Sequence, residues 1–390
     1  MIKKISLENF KCFAEKKDLK MSRVSLLYGH NGRGKSSVSQ ALLLIGQSMK
    51  KRNDIDELFI VGDQIQLESF TDIKTANTKT NEIKFWIESG EEKLEIGFSP
   101  VPDKPQIGAL STYVINGENR FHVQTTQGTE HDGEQVKVAY STSDSTILQT
   151  LKEIHYISAG RLGPVNDMVR NDTIAPNAVG TKGEYLINAL SHQSPEFVEY
   201  VGQRLSEILN GGVVNIKDPS ATRLELRLNS RDGKTLFRPI NVGFGYSYVL
   251  PVIVSALLAE NGSILIVENP EAHLHPRAQS RIMEFLIEQA LEKDLQLIIE
   301  THSDHVVNGM RISMKKNVLK PTDGIIQHFA YGNDTVTPVI TEITSDKEGN
   351  LSEYPEDFMD EWTAQMMQQH RLRLREADMK QDVGLPHQSN

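Results

Sequence analysis

One eight-residue stretch constrains this chain more than any other. Residues 29–36 read G-x-x-x-x-G-K-S, with Gly29, Gly34, Lys35 and Ser36 at the fixed positions. A short apolar run over 24–28 precedes it. An apolar-periodic segment follows, with Val38, Leu42 and Ile45 at helical spacing. Glycines let such a loop curl until its backbone N–H groups point inward, and the helix N-terminus adds partial positive charge. Strand, glycine loop and helix in that order make a phosphate cradle. Lys35 is expected at the β and γ phosphates and the Ser36 hydroxyl at Mg²⁺, with Asn31, Gly32, Arg33 and Ser37 completing the loop.

Composition narrows the setting. Lys plus Arg total 42 against 52 Asp plus Glu, a net charge of −10, which argues against a surface that coats nucleic acid with its whole area. With 38% apolar and 24% charged residues the chain is expected to be globular and not disordered. A lone cysteine, Cys12, excludes an intrachain disulfide and a cysteine-based zinc site, and fits a reducing cytosol. The N-terminus turns polar too soon for a signal peptide, and the apolar stretch at 248–259 falls short of the roughly 20 residues of a membrane helix. A cytoplasmic protein is expected, without a membrane partner.

Two later clusters carry chemistry. The apolar run 264–267 ends in Glu268, followed by Asn269, Pro270, Glu271, His273 and His275. An acid at a strand end is commonplace, but beside a phosphate loop it is what a magnesium site needs, so Glu268 is the expected metal carboxylate. His273 and His275 lack a matching carboxylate array, and no separate metal site is expected there. In the third cluster a buried-type strand ends in Glu300, Thr301, His302 and Ser303. That places His302 at the carboxyl edge of the sheet, where nucleotides bind in open α/β folds. It is either a γ-phosphate sensor or an ordinary strand-end histidine.

Strand–helix–strand alternation over 264–299 implies a parallel sheet with crossover helices. Residues 81–100 alternate around Ser89 and Gly90 as a hairpin, 114–138 reads as further β structure, and 183–210 is helical. We expect an α/β fold in which 1–50 and 240–345 form a split core. Residues 51–239 are then a β-rich and helical insertion, and 346–390 a C-terminal segment with a charged helical tail.

These clusters together resemble the ATP-binding-cassette ATPase heads of the SMC and DNA-repair type. More narrowly, they resemble the stand-alone bacterial AAA ATPases akin to the overcoming-lysogenization-defect group. The opening residues Ile5 to Phe13, the loop, and the motifs around Pro270–Pro276 and Glu300–His305 carry the likeness. So does the segment from Tyr354 to Asp360. The resemblance implies a P-loop ATPase fold with a mixed central sheet, an antiparallel β subdomain and an inserted helical region. It further implies ATP and Mg²⁺ as cofactors, with Lys11 among the nucleotide-binding residues. Residues 241–248, with Gly243, Gly245 and Ser247, stand where the family's signature motif caps the γ phosphate held by a partner subunit; a homodimer sandwiching two nucleotides follows. The family's usual glutamate after the magnesium acid is here Asn269, which cannot accept a proton from water. Slow hydrolysis is expected, with Glu271 as the alternative base. Gln64 and Gln66 are the candidates for the family's magnesium glutamine.

By analogy the expected function is an ATPase that regulates or recruits a separate effector, such as a nuclease, in anti-phage defence or DNA maintenance. No toprim nuclease domain is expected in the chain itself. The alternatives are a non-hydrolysing ATP-gated scaffold and, less well matched, a small-molecule kinase. Basic runs at Lys50, Lys51 and Arg52, and from His370 through Arg371 and Arg373 to Arg375, are either DNA contacts or solvated faces. Met366, Met367 and Leu372 leave a partner-docking helix open. Arg161 and Arg170 either reach phosphate or form structural ion pairs.

Overall fold

The apolar runs that bracket the motifs come together as one six-stranded sheet. In spatial order it reads Ile154–Ile157, Ile264–Glu268, Gln296–Thr301, Val24–Gly29, Gly324–Tyr331 and Pro338–Ile343. The first five are parallel and the last is antiparallel, so the sheet is mixed. The computed structural model describes residues 1–120, 123–125, 136–138, 145–230, 234–331, 338–356, 358–359, 365–369 and 371–372.

Both faces of this sheet are covered, which is why its strands are nearly continuous runs of Val, Ile and Leu. On one face Leu27, Ile266 and Ile298 share a core with helix Lys35–Arg52 and with a second, seven-stranded antiparallel sheet. Residues 41–49 of that helix are buried on every side, as only a helix caught between two layers can be. Its Gly46 is where helix Thr146–Lys152 crosses: a Cβ there would lie 2.5 Å from the Leu151 carbonyl oxygen. On the other face Leu26, Leu265 and Leu297 pack against helices Pro195–Leu209, Phe244–Leu258, Pro276–Glu292 and Asp304–Lys315.

The expected partition shifts in two places. Ile154–Ile157, expected within the insertion, is the edge strand of the central sheet, because its short apolar run pairs in parallel with Ile264–Glu268. Ile2–Glu8 and Lys17–Lys20, expected in the core half, belong instead to the antiparallel sheet, next to Ile83–Ser89. That strand and Glu92–Val101 form the expected hairpin, turning at Gly90 with φ 60°. The helical stretch near 183–210 is two helices, Leu186–Ser191 and Pro195–Leu209, divided where the Ser194 hydroxyl caps the second by accepting from the Phe197 amide. Of the expected β structure before 138, Val123–Thr125 pairs with Val136–Val138, while 126–135 lies outside the described residues.

Distant parts of the chain are stitched together. The Gln296 carboxamide accepts from the Ile2 amide at 2.8 Å and donates to the Ile2 and Ser22 carbonyls at 2.7 and 3.0 Å. Phe358, 1% exposed, packs edge-on against Tyr28 and His328, with centroids 5.0 and 5.2 Å away. Among the described residues, no helix is long and apolar enough to cross a membrane.

Candidate nucleotide site

Strand Val24–Gly29 ends in the middle of the sheet, and the glycines bend the chain sharply there. Gly29 has φ 128° and crosses so close to the neighbouring strand that a Cβ would sit 2.1 Å from the Phe329 carbonyl oxygen. Gly34, at φ 92°, caps helix Lys35–Arg52 without any side-chain hydrogen bond, and a Cβ on it would meet Cys12 Sγ at 2.6 Å. Only glycine fits both conformations. The first amides of the helix are thus left open towards a cavity of about 410 Å³. Lys11, Cys12, Asn31, Gly32, Gly34, Lys35, Ser36, Ser37, Gln40 and Glu300 line it.

Lys35 folds back over the loop, donating to the Gly29 and His30 carbonyls at 2.9 and 2.5 Å. Burial lowers its ammonium pKa, and the charge of Glu300 opposes that. Lys11, at φ 52°, donates from Nζ to Gln40 Oε1, and burial lowers its pKa as well. A buried cation with so little anionic company suits a phosphate-binding pocket. Arg33 is half-buried in the loop.

The carboxyl edge of the sheet closes the cavity. Glu268 and Glu300 stand side by side in register on adjacent strands. Ser36 Oγ donates to Glu300 Oε1 at 2.8 Å. Burial raises the Glu300 carboxyl to about 7; Ser36 opposes this and the Glu268 charge adds to it. Glu268 Oε2 accepts from the Ala159 amide at 3.0 Å. Burial, followed by the Glu268 charge beside it, pushes the Tyr156 phenol well up.

Asn269 follows in a left-handed conformation, φ 45°, which Asn tolerates better than most residues. Its amide donates to the Glu300 carbonyl at 2.8 Å, and its own Oδ1 is buried without a hydrogen-bond partner. Glu271 Oε1 accepts from the His302 amide at 3.0 Å; burial raises its carboxyl, against that bond. Partial desolvation lowers the His302 imidazole, nearby Lys35 lowers it further, and a hydrogen bond to the Gly29 carbonyl opposes both. Lys35, Ser36, Glu268, Asn269, Glu271 and His302 therefore gather around one sheet edge.

Other expectations come out differently. Arg161 does not reach into the phosphate cavity. Its guanidinium donates to the carbonyls of Ser158, Glu268 and Asn269 at 3.0, 2.7 and 2.5 Å, and burial pushes its pKa down to about 10. Arg170 pairs with Asp218 at 3.0 Å. Gln64 donates to the Ile154 carbonyl and Gln66 is exposed; neither lines the cavity, whereas Gln40 does. His273 packs against Tyr248 with ring centroids 4.2 Å apart and the planes tilted by 47°, and His275 caps helix Pro276–Glu292 by accepting from the Arg277 amide. The helix Phe244–Leu258 takes in most of the expected signature segment, so Gly245 and Ser247 lie in its first turn and Gly243 caps it. None of the three lines the cavity of its own chain.

In the first basic run, Lys51 covers the Phe59 ring and Arg52 pairs with Asp56 and Glu57, which leaves little free charge for DNA. In the second, His370, Arg373 and Arg375 lie outside the described residues. Sequence reasoning missed Glu300 as a site residue, although an acid closing an otherwise apolar strand just before Thr301 and His302 was a usable signal.

Comparison with known proteins agrees with this geometry. Residues 1–161 match an AAA ATPase domain. Residues 159–308 match an AAA domain whose description also names an AbiEii toxin of a type IV toxin–antitoxin system. Residues 326–369 match a protein of unknown function (DUF3696). A DNA replication and repair protein RecF from Shewanella denitrificans is 32% identical over 76 residues, which is 20% of this chain and 21% of that protein. The chain thus spans about a fifth of that relative. An ATP/GTP phosphatase from Helicobacter pylori is 22% identical over 342 residues, covering 79% of this chain and 86% of the relative. An SMC head bound to the C-terminal winged-helix domain of ScpA has a TM-score of 0.53 at 16% identity, over 88% of this chain and 98% of that one. An SMC head with an extended coiled coil, bound to the C-terminal domain of ScpA derived from Pyrococcus furiosus, also scores 0.53. It is 14% identical, over 88% of this chain and 96% of that one.

Proposed function

From a chain that carries AAA-type ATPase domains on an SMC-head-like fold, we propose a nucleotide-gated dimer: two copies close on two ATP molecules, hydrolyse them slowly, and so control a separate effector protein. The observation that carries this reading is the division of the motifs. Lys35, Ser36 and Glu300 share one cavity, whereas Gly243, Gly245 and Ser247 do not line it. Of these three Gly243 is exposed at the start of helix Phe244–Leu258, open to a second copy, whereas Ser247 is buried within its own chain.

The surface around that segment supports self-association. Ile240 and Phe244 are 63% and 57% exposed, and apolar side chains bared beside a polar motif suit an interface. The side-chain chemistry also fits ATP with Mg²⁺. A glycine cradle that admits no Cβ, the Ser36 hydroxyl and the Glu268 and Glu300 carboxylates offer the hard oxygen donors that Mg²⁺ takes. A cation held by these donors would share the nucleotide's own oxygens. Mg²⁺ there would neutralise charge on the β and γ phosphates. In this reading Lys35 and the loop amides orient the phosphates, His302 contacts the γ phosphate, and Glu271 takes the proton from water in place of Asn269.

The match to the DNA replication and repair protein RecF supports a setting in DNA maintenance, and the toxin–antitoxin AAA domain leaves a defence role as the alternative. The SMC heads were solved with a bound partner domain, which supports a protein partner here. Asn269 favours a second reading, in which ATP only locks the dimer as a scaffold. Light scattering with MgATP, alongside ATP turnover, tests both. Dimerisation by the wild type but not by Gly243→Arg or Lys35→Ala, with ATP binding kept in Gly243→Arg, is the expected result. A dimer without turnover leaves the scaffold, and a monomer under all nucleotides ends the dimer reading.

A further inference from the structure

Glu300 lines the cavity that holds Lys35 and Ser36, is 8% exposed, and uses its two oxygens unequally. Oε1 accepts from Ser36 Oγ at 2.8 Å, while Oε2 is buried and has no hydrogen-bond partner. A buried carboxylate oxygen left unsatisfied is costly unless something positive meets it. Glu268 is better supplied, since the Ala159 amide donates to it at 3.0 Å. Strand register places the two acids at adjacent positions on neighbouring strands, each carboxylate with its own partner.

The spacing is informative. Mg²⁺ holds six oxygens octahedrally at about 2.0–2.1 Å, so adjacent ligands stand about 2.9 Å apart. Ser36 Oγ and Glu300 Oε1, at 2.8 Å, already span such an edge. The geometry points to Glu300 as a direct oxygen ligand of the divalent cation that accompanies the nucleotide, shared with Ser36. Glu268 then stands behind as the second carboxylate. The assignment rests on the nucleotide reading above and gives the chain a metal carboxylate on the strand that ends in Thr301.

Fluorescent mant-ATP binding, titrated with MgCl₂, separates this from a purely structural Ser36–Glu300 contact. Glu300→Gln keeps the shape of the side chain. It should bind mant-ATP without metal within about threefold of wild type, yet need at least ~10-fold more Mg²⁺ for half-saturation, the scale expected when a metal site loses a supporting group. Glu300→Cys should move the preference from Mg²⁺ towards Cd²⁺, which thiolates favour, and the Mn²⁺ electron paramagnetic resonance signal of the nucleotide complex should change in both variants. A Mg²⁺ requirement within twofold of wild type in Glu300→Gln, where Ser36→Ala shifts it, overturns the assignment. Failure of the wild type to bind mant-ATP at all overturns the nucleotide reading, and the cation assignment with it. Should Glu300→Gln unfold, Glu300→Cys and its Cd²⁺ preference decide the matter.

Discussion

Arg161 Nη2 donates to the carbonyl of Asn269 at 2.5 Å, and the residue it holds is the one at φ 45°. The same guanidinium holds the Glu268 carbonyl, so one side chain fixes the backbone of both residues at the end of strand Ile264–Glu268. A planar fork of donors suits this role as a lysine would not.

Arg161→Ala should therefore act on chemistry and stability more than on binding. Removing the donors strands buried carbonyls, at a cost of about 3 kcal/mol read from urea unfolding. Turnover should fall roughly 10²-fold while mant-ATP affinity changes about threefold or less. An equal loss in both quantities would mean that Arg161 supports the phosphate loop as a whole.

Asn269→Glu should restore a base at the position after Glu268 and raise ATP turnover by about 10²-fold. The gain comes at a cost of about 1 kcal/mol, because glutamate is less at ease than asparagine in the left-handed conformation. Unchanged turnover, with Glu271→Gln abolishing it, would place the base at Glu271.

Protonation of Glu300 should set a stability trend in the nucleotide-free protein. Its folded pKa of about 7 lies above the ordinary value of 4.5. The folded chain thus holds a proton that the unfolded chain releases, and stability falls as pH rises from about 5 to about 8, by at most ~3 kcal/mol. His302, whose pKa is lowered, contributes in the opposite direction below 6.5. Thermal melts of wild type and Glu300→Gln across that window isolate the glutamate: the variant should show a shallower decline, with Glu271, also raised by burial, supplying what remains.

Phe358→Ala should cost about 3–5 kcal/mol in chemical denaturation, because a fully buried ring in contact with Tyr28 and His328 is lost. Tyr28 precedes Gly29 and donates to Asp304 at 2.6 Å, two residues beyond His302. Nucleotide affinity should weaken too, though less than in Lys35→Ala. Intact stability would show that the segment around Phe358 is held elsewhere.

The strongest signals in the sequence were the local ones. Gly29 to Ser36 declares its own geometry, since loop, amides, lysine and hydroxyl are contiguous. Glu268 and His302 were also legible, because each closes an apolar strand. Glu300 carried the same strand-end signal, but its role shows only through Ser36, 264 positions away, and strand order. Arg161 shows the same limit from the other side. A lone arginine near glycines reads equally well as a phosphate contact, and only the placement of Ile154–Ile157 beside Ile264–Glu268 turns it towards backbone carbonyls. The start of the Phe244 helix was hidden by Gly243 and Gly245, residues that usually argue against helix.

The position of Val24–Gly29 in the sheet bears on how the molecule is made. This strand leaves a ribosome well before its neighbours on either side, Gln296–Thr301 and Gly324–Tyr331. A nascent chain therefore carries its phosphate loop for more than 250 residues without the strands that flank it. The sheet edge on which the loop sits is complete only once Gly324–Tyr331 has joined it.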